Sequence, residues 1–298
     1  MARLIECVPN FSEGRNKEVV EQIVDEIRKT DGVKLLDYSM DADHNRCVVT
    51  FIGEPEQVIE AAFKATKVAS EVIDMTKHTG EHPRMGATDV IPLIPISDVT
   101  MEECVEYSKK LGKRIGEELN IPVFLYEKSA TSRNREDLAE IRKGQYEGMA
   151  EKLKQEEWKP DFGPAELNVK SGVTAVGARP PLVAFNVNLG TNDLSIAKKI
   201  AKAVRAKTGG FTYCKAIGLE IKERNIVQVS MNLVDYTKTP IFRVFDTIER
   251  EARRYGVNVI GSEIIGLVPM QALVDVADYY LRLENFSSDQ ILERKIFE

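Results

Sequence analysis

One order of elements occurs twice in these 298 residues, and that repetition constrains the fold more than any single motif. Residues 4–8 are an apolar run, followed by Val19, Val20, Ile23, Val24 and Ile27 at helical spacing, with Gly32 as the exit. Runs at 33–37 and 47–52 read as strands, Pro55 opens a second helix, and 90–94 closes the series as a strand. The second half repeats this order: strand 182–189, helix 193–207, strands 215–221 and 226–233, a helix from Pro240, and strand 257–260. The punctuation recurs too, Lys29-Thr30-Asp31-Gly32 at one helix exit and Lys207-Thr208-Gly209-Gly210 at the other. This order predicts an α/β (α+β) chain of two ferredoxin-like βαββαβ subdomains, with helices on one face of each sheet. The first half also carries a helical segment at 101–119, a short strand at 122–126 and a helix at about 137–155. Residues 1–180 then form an N-terminal subdomain that includes a linker, and 181–298 a C-terminal one, in keeping with about 100 to 200 residues per domain.

The linker, 158–181, is rich in Pro and Gly and has no period. Loops beyond about 12 to 15 residues are usually functional or disordered, and Trp158, Phe162, Leu167, Val173 and Val176 argue against disorder. A functional segment is expected there, its glycines allowing close approach to a ligand.

Composition closes off other classes. A formal net charge of −6, with no Lys/Arg-rich block, argues against broad nucleic-acid binding. The four cysteines are far apart and read as free buried thiols in a reducing compartment. The N-terminus carries a charge inside a very short apolar stretch and reads as a strand, not a signal peptide. The longest nearly apolar segment, 264–274, is far short of the roughly 20 residues a membrane span needs. A cytoplasmic protein with no membrane partner is expected.

Three histidines, His44, His78 and His82, all fall in loops of the first half. The spacing of His78 and His82 would aim two imidazoles at one zinc ion on a helix, but Gly80 and Pro83 break that helix and no third ligand follows, so no metal site is expected. Residues 79–89 pack His82, Glu81, Asp89, Arg84 and two glycines into eleven positions before a strand. A histidine there can shuttle a proton near neutral pH, and Arg84 can grip a carboxylate in bidentate fashion. Asn10, within the segment 9–15, brings an amide to a sheet edge, while 41–46 is equally well read as a solvated turn.

Together, Glu6-Cys-Val-Pro-Asn-Phe-Ser-Glu-Gly-Arg15, Asn45-Arg46, Gly80-Glu-His-Pro-Arg-Met-Gly-Ala87, Asp161-Phe-Gly-Pro164 and Gly177-Ala-Arg179 resemble the formiminotransferase domain of the formiminotransferase-cyclodeaminase family. Later matches are Ala216-Ile-Gly218, Gln228-Val-Ser-Met-Asn-Leu233 and Gly261-Ser-Glu-Ile-Ile-Gly-Leu-Val-Pro269. The resemblance implies a homodimer, sheets facing a central folate tunnel, and His82 as the catalytic residue. It also implies a folate-contacting stretch at Gly163, Pro164, Ala165, Glu166, Leu167, Asn168, Val169, Lys170, Ser171 and Gly172. The implied reaction moves the formimino group of N-formimino-L-glutamate to tetrahydrofolate, as in histidine degradation and one-carbon metabolism. Asn10, Arg46, Arg84 and Arg179 are the positions expected to bind the glutamate part. An aspartate found in some members is Ser39 here, which passes any such role to Asp41 or Asp43. The cyclodeaminase domain is expected to be absent, since the chain ends at Glu298 with its second half already used, leaving room for a separate cyclodeaminase partner. Rival readings on the same scaffold are a glutamate formyltransferase, a formyl-folate converting enzyme and a non-catalytic folate sensor.

Overall fold

Alternation settles the first sheet: Ile5, Cys7 and Phe11 are buried, while Leu4, Glu6 and Asn10 between them are half-exposed. In the computed structural model, which describes residues 2–80 and 82–297, these residues form β1 (Leu4–Cys7) and β2 (Asn10–Phe11). They are two pieces of one strand, parted at Pro9, which has no N–H to give. Both run antiparallel between β4 (Arg46–Gly53) and β5 (Thr88–Ser97). β3 (Val33–Asp41) pairs with β4, and β7 (Thr174–Ala178) and β6 (Val123–Glu127) extend the sheet from β5 in parallel.

Three helices cover one face: α1 (Lys17–Arg28), α2 (Pro55–Val72) and α3 (Met101–Leu119). Each start is encoded locally. The Asn16 side chain accepts the N–H groups of Glu18 and Val19, Pro55 sits at the first turn of α2, and Thr100 with Glu103 makes a capping box. Within the first unit, described helices cover the opposite face over β5, β7 and β6. There α4 (Leu138–Arg142) and α5 (Gln145–Lys152) bury Ile141 and Met149 with Val90, Phe124, Tyr126, Ala175 and Trp158. Parallel strands need cover on both faces, whereas an antiparallel region can leave one open. On the antiparallel side, the face opposite α1–α3 therefore presents Glu6, Asn10 and Arg46, all half-exposed.

The chain divides at Arg179/Pro180 into two units. In the second, β8 (Val183–Leu189), α6 (Leu194–Val204), β9 (Cys214–Ile221), β10 (Ile226–Leu233), α7 (Ile241–Arg254) and β11 (Val259–Ile265) build an antiparallel sheet in the order β11-β8-β10-β9. Its first strand lies between its third and fourth. The first unit has the same arrangement in β5-β1-β4-β3, so the repeat seen in sequence is a repeat of topology. Two further helices, α8 (Met270–Leu281) and α9 (Leu292–Phe297), follow. No described helix is long and apolar enough to cross a membrane.

Several expectations need correction. Helices lie on both faces of the first sheet, because its added strands are parallel. The helix expected at 137–155 is broken at Lys143-Gly144, where Gly144 takes φ +93°. The last strand runs to Ile265, five residues past its expected end at 260. The linker is no free connector, since its end, Thr174–Ala178, is the fully buried β7. Before that strand it is laced to the first unit: Val123 N–H donates to the Phe162 carbonyl (2.9 Å), Met75 N–H to Lys170 (2.9 Å) and Ala87 N–H to Ser171 (2.8 Å).

Two of its glycines are pressed against neighbouring backbone. Gly172 has φ +71°, and a Cβ there would lie 2.2 Å from the Met85 carbonyl oxygen; Gly163, at φ +82°, would meet the Ile121 carbonyl at 2.5 Å. Gly172→Ala should therefore destabilise the protein by about 2 kcal/mol or more. Gly209→Ala, with φ +91° but nothing within 4 Å, should cost only the left-handed backbone term of about 1 kcal/mol. Urea unfolding of both variants checks the ranking, and an equal loss would contradict it.

Candidate active site

Three polar loops from different parts of the first unit meet at one end of the sheet. Ser12 N–H donates to the Ala87 carbonyl (2.9 Å) and Ser12 Oγ to the Gly86 carbonyl (2.8 Å), fixing the loop after β2 against the one before β5. Asn45 joins both to the loop before β4: its Oδ1 accepts Gly14 N–H (2.9 Å) and its Nδ2 donates to the Thr79 carbonyl (2.9 Å). Asn45 itself holds φ +49°, a region asparagine enters more readily than most residues. The approach is close enough to exclude side chains, since a Cβ on Gly14 or Gly80 would lie 2.2 Å or 2.4 Å from a backbone oxygen. Segment 41–46 is thus a turn with Ala42 and Asp43 exposed, anchored at its buried Asn45 to the other two loops.

His78 and Arg84 lock this arrangement. Arg84 is buried, and its five N–H groups are all used: Nε donates to His78 Nδ1 (3.1 Å), Nη2 to the His78 carbonyl (3.2 Å) and Glu147 Oε1 (2.7 Å), and Nη1 to Glu147 Oε2 (2.8 Å) and Gln145 Oε1 (3.1 Å). All the donors expected to grip a substrate carboxylate are thus engaged within the protein. Since His78 Nδ1 accepts from Arg84, the ring carries its proton on Nε2 and donates it to the Asn45 carbonyl (2.9 Å). Burial lowers the pKa of His78 and keeps it neutral, with both ring nitrogens engaged.

His82 lies beside this lock, half-buried, and no hydrogen bond to its ring is found among the described residues; its neighbour Glu81 lies outside them. Burial lowers its pKa to about 2, reinforced by the charges of Arg46 and Arg142 and by His44 and His78. The imidazole is therefore a neutral base, surrounded by groups that oppose its protonation. Arg46 opens β4 on the face without α1–α3, and its own pKa is lowered by burial and by the Arg142 charge, against Asp41 and Asp89. Arg142 ends α4, where Lys152 Nζ donates to the carbonyls of Glu140 (2.6 Å), Ile141 (2.6 Å) and Lys143 (3.3 Å) and so fixes that terminus. Arg142 pairs with Asp89, whose other oxygen accepts Met85 N–H (2.9 Å).

The other expected positions lie farther along the sheet. Asn10 projects from the same face as Arg46 and donates to the Val8 carbonyl (3.2 Å). Arg179 follows β7 beside Glu6 and Tyr126; its charge partly offsets the burial that raises the Glu6 pKa and pushes the Tyr126 phenol up to about 12. Strand register puts the backbones of Arg46 and Arg179 on the order of 20 Å apart along the strands. Of the stretch 163–172, Ser171 and Gly172 are buried against the Met85–Ala87 loop, while Gly163, Ala165, Glu166, Val169 and Lys170 are exposed. Asn45, Asp89, Arg142 and Glu147 complete the site. Only Asp89 and Asn45 stood within segments that sequence reading had singled out.

The first unit thus holds a half-buried, neutral histidine among arginines, and comparison with known proteins gives the family. Residues 4–179 match the formiminotransferase domain, N-terminal subdomain, and residues 184–296 match the formiminotransferase domain; the chain belongs to this family. It is 58% identical over 297 residues to a glutamate formimidoyltransferase of Streptococcus pyogenes serotype M1, covering 99% of each chain. A glutamate formimidoyltransferase of Thermoplasma acidophilum is 53% identical, with 98% of this chain and 97% of the relative covered. The formimidoyltransferase-cyclodeaminase of Mus musculus is 47% identical across 94% of this chain, which spans 53% of that longer protein.

The depressed basicity of His82 has a consequence for stability. The unfolded chain takes up a proton at this residue as pH falls below about 6.5, whereas the folded chain resists it down to about pH 2, so stability is lost as pH drops through that window. His82→Asn removes this contribution and leaves the smaller one of His78, which has the same sign. Between pH 7.5 and 5 the variant should lose less stability in urea unfolding than the parent protein; equal losses would contradict the assignment.

Proposed function

We propose that this chain is a glutamate formimidoyltransferase, which transfers the formimino group of N-formimino-L-glutamate to N5 of tetrahydrofolate and releases L-glutamate. The observation that carries this reading is the neutral, half-buried His82 in a family whose relatives bear that name. As N5 bonds to the formimino carbon, its proton must leave, and the glutamate nitrogen must gain one before its bond to that carbon can break. His82 serves both needs by accepting the first proton and returning it to the departing nitrogen, a shuttle typically worth about 10² to 10⁴ in rate. Holding donor and acceptor side by side adds a proximity contribution.

Residues 163–172 are the rim against which the folate lies. Their backbone is anchored while Glu166 and Val169 face outward, which supports a fixed contact surface over a closing flap. The strip from Arg46 past Asn10 and Glu6 to Arg179 suits a long, flat, carboxylate-bearing co-substrate.

Formation of 5-formiminotetrahydrofolate by the purified protein tests the reading. N-formimino-L-glutamate should be turned over far faster than N-formyl-L-glutamate, and the reverse preference would favour a formyltransferase. His82→Asn should lower kcat about 100-fold or more with little change in folate KM. Wild-type turnover in that variant would remove His82 from the chemistry.

A further inference from the structure

Arg46 and Arg142 come from β4 and from the end of α4, nearly a hundred residues apart, yet both guanidinium groups stand close enough to His82 to oppose its protonation. They are unequally served. Arg142 is tied to Asp89, which is 2% exposed in its side chain and is itself fixed by Met85 N–H. Arg46 has no ion pair among the described residues, and the Nε atoms of both arginines are buried without a hydrogen-bond partner. Two like charges held together, each with an orphaned donor, are unfavourable until an anion with two oxygens sits between them.

We propose that Arg46 and Arg142 together seat the α-carboxylate of the formimino donor, with Asp89 positioning Arg142. The proposal rests on formimidoyl transfer as the reaction. The choice of carboxylate follows from connectivity. The α-carboxylate hangs from the carbon that bears the departing nitrogen, so whatever holds it must lie beside the group that protonates that nitrogen, which is His82. The γ-carboxylate is three carbons away and is held elsewhere. A carboxylate in this seat also offsets the two charges that weaken His82 as a base. The groups facing that imidazole are Arg46 from β4, Arg142 from α4, His44 from the loop before β4 and His78 from its own loop, with Asp41 and Asp89 beside the arginines. His82 thus gains basicity when the donor is in place.

The test compares kcat/KM at saturating tetrahydrofolate for N-formimino-L-glutamate and N-formimino-4-aminobutyrate, which lacks only the α-carboxylate. The wild-type protein should prefer the glutamate donor by roughly 10²-fold, the size expected for charged hydrogen bonds. In Arg142→Met the preference should fall below about tenfold, because the glutamate donor slows while the aminobutyrate donor, which has no α-carboxylate to lose a partner and whose reaction is freed of a charge opposing His82, does not. Discrimination against N-formimino-2-aminobutyrate, which lacks only the γ-carboxylate, should be the same in both proteins. General damage to the fold would slow all three donors alike and leave the ratios intact. Should the unpaired Asp89 prevent Arg142→Met from folding, Asp89→Asn combined with Arg142→Met supplies the same ratios without a buried lone charge. An unchanged α-carboxylate preference in a folded Arg142 variant overturns the proposal. Wild-type protein that transfers nothing from any formimino donor overturns the reaction itself.

Discussion

The site depends on one side chain, Asn45, whose amide ties three loops that are distant in sequence. It accepts from Gly14, donates to Thr79, and its backbone carbonyl receives the Nε2 proton of His78. An uncharged group suits this junction, because a carboxylate could not donate to Thr79 and an ammonium could not accept from Gly14. From this junction the remaining order follows: His78 is held as one tautomer, Arg84 closes on it, and Glu147 of α5 closes on Arg84. What remains unlocked is His82, four residues from His78 and with no ring hydrogen bond among the described residues. A rigid frame around one uncommitted imidazole is the geometry a proton shuttle needs.

Electrostatics then gives that imidazole its character. Burial and two guanidinium groups disfavour its charged form, and burial makes Arg46 a costly cation, without an ion-pair partner among the described residues. Neither condition serves stability, and on the carboxylate seat proposed above both would be relieved by an anionic ligand. The first unit pays for this arrangement with neutral, hydrogen-bonded locks nearby, at Asn45, His78 and Ser12.

Much of this was legible in the residues. Helical spacing in α1, the capping box of α3 and the strand alternation around Phe11 announce themselves locally, as does the crowding of His82 with glycines and an arginine. What escaped was either non-local or unpatterned. Arg84 reads as a free clamp because its bidentate partner Glu147 is 63 residues away. Arg142 looks like any charged residue of a helix face until the chain turn at Lys143-Gly144 ends α4 beside Asp89. The strand β7 is hidden because Thr174-Ala175-Val176-Gly177-Ala178 is short, built of small residues and buried throughout, with no alternation to mark it.

The claim that a cationic, buried setting holds His82 neutral until a carboxylate arrives can be measured on the residue itself. Titration of ring-labelled histidines by NMR, with His82 assigned from the His82→Asn spectrum, follows its protonation in the free protein and with saturating N-acetyl-L-glutamate. In the free protein the His82 ring should remain neutral to below pH 4, and ligand should raise its midpoint by at least one pH unit. An ordinary midpoint near 6.5 in the free protein, unmoved by ligand, would contradict the account.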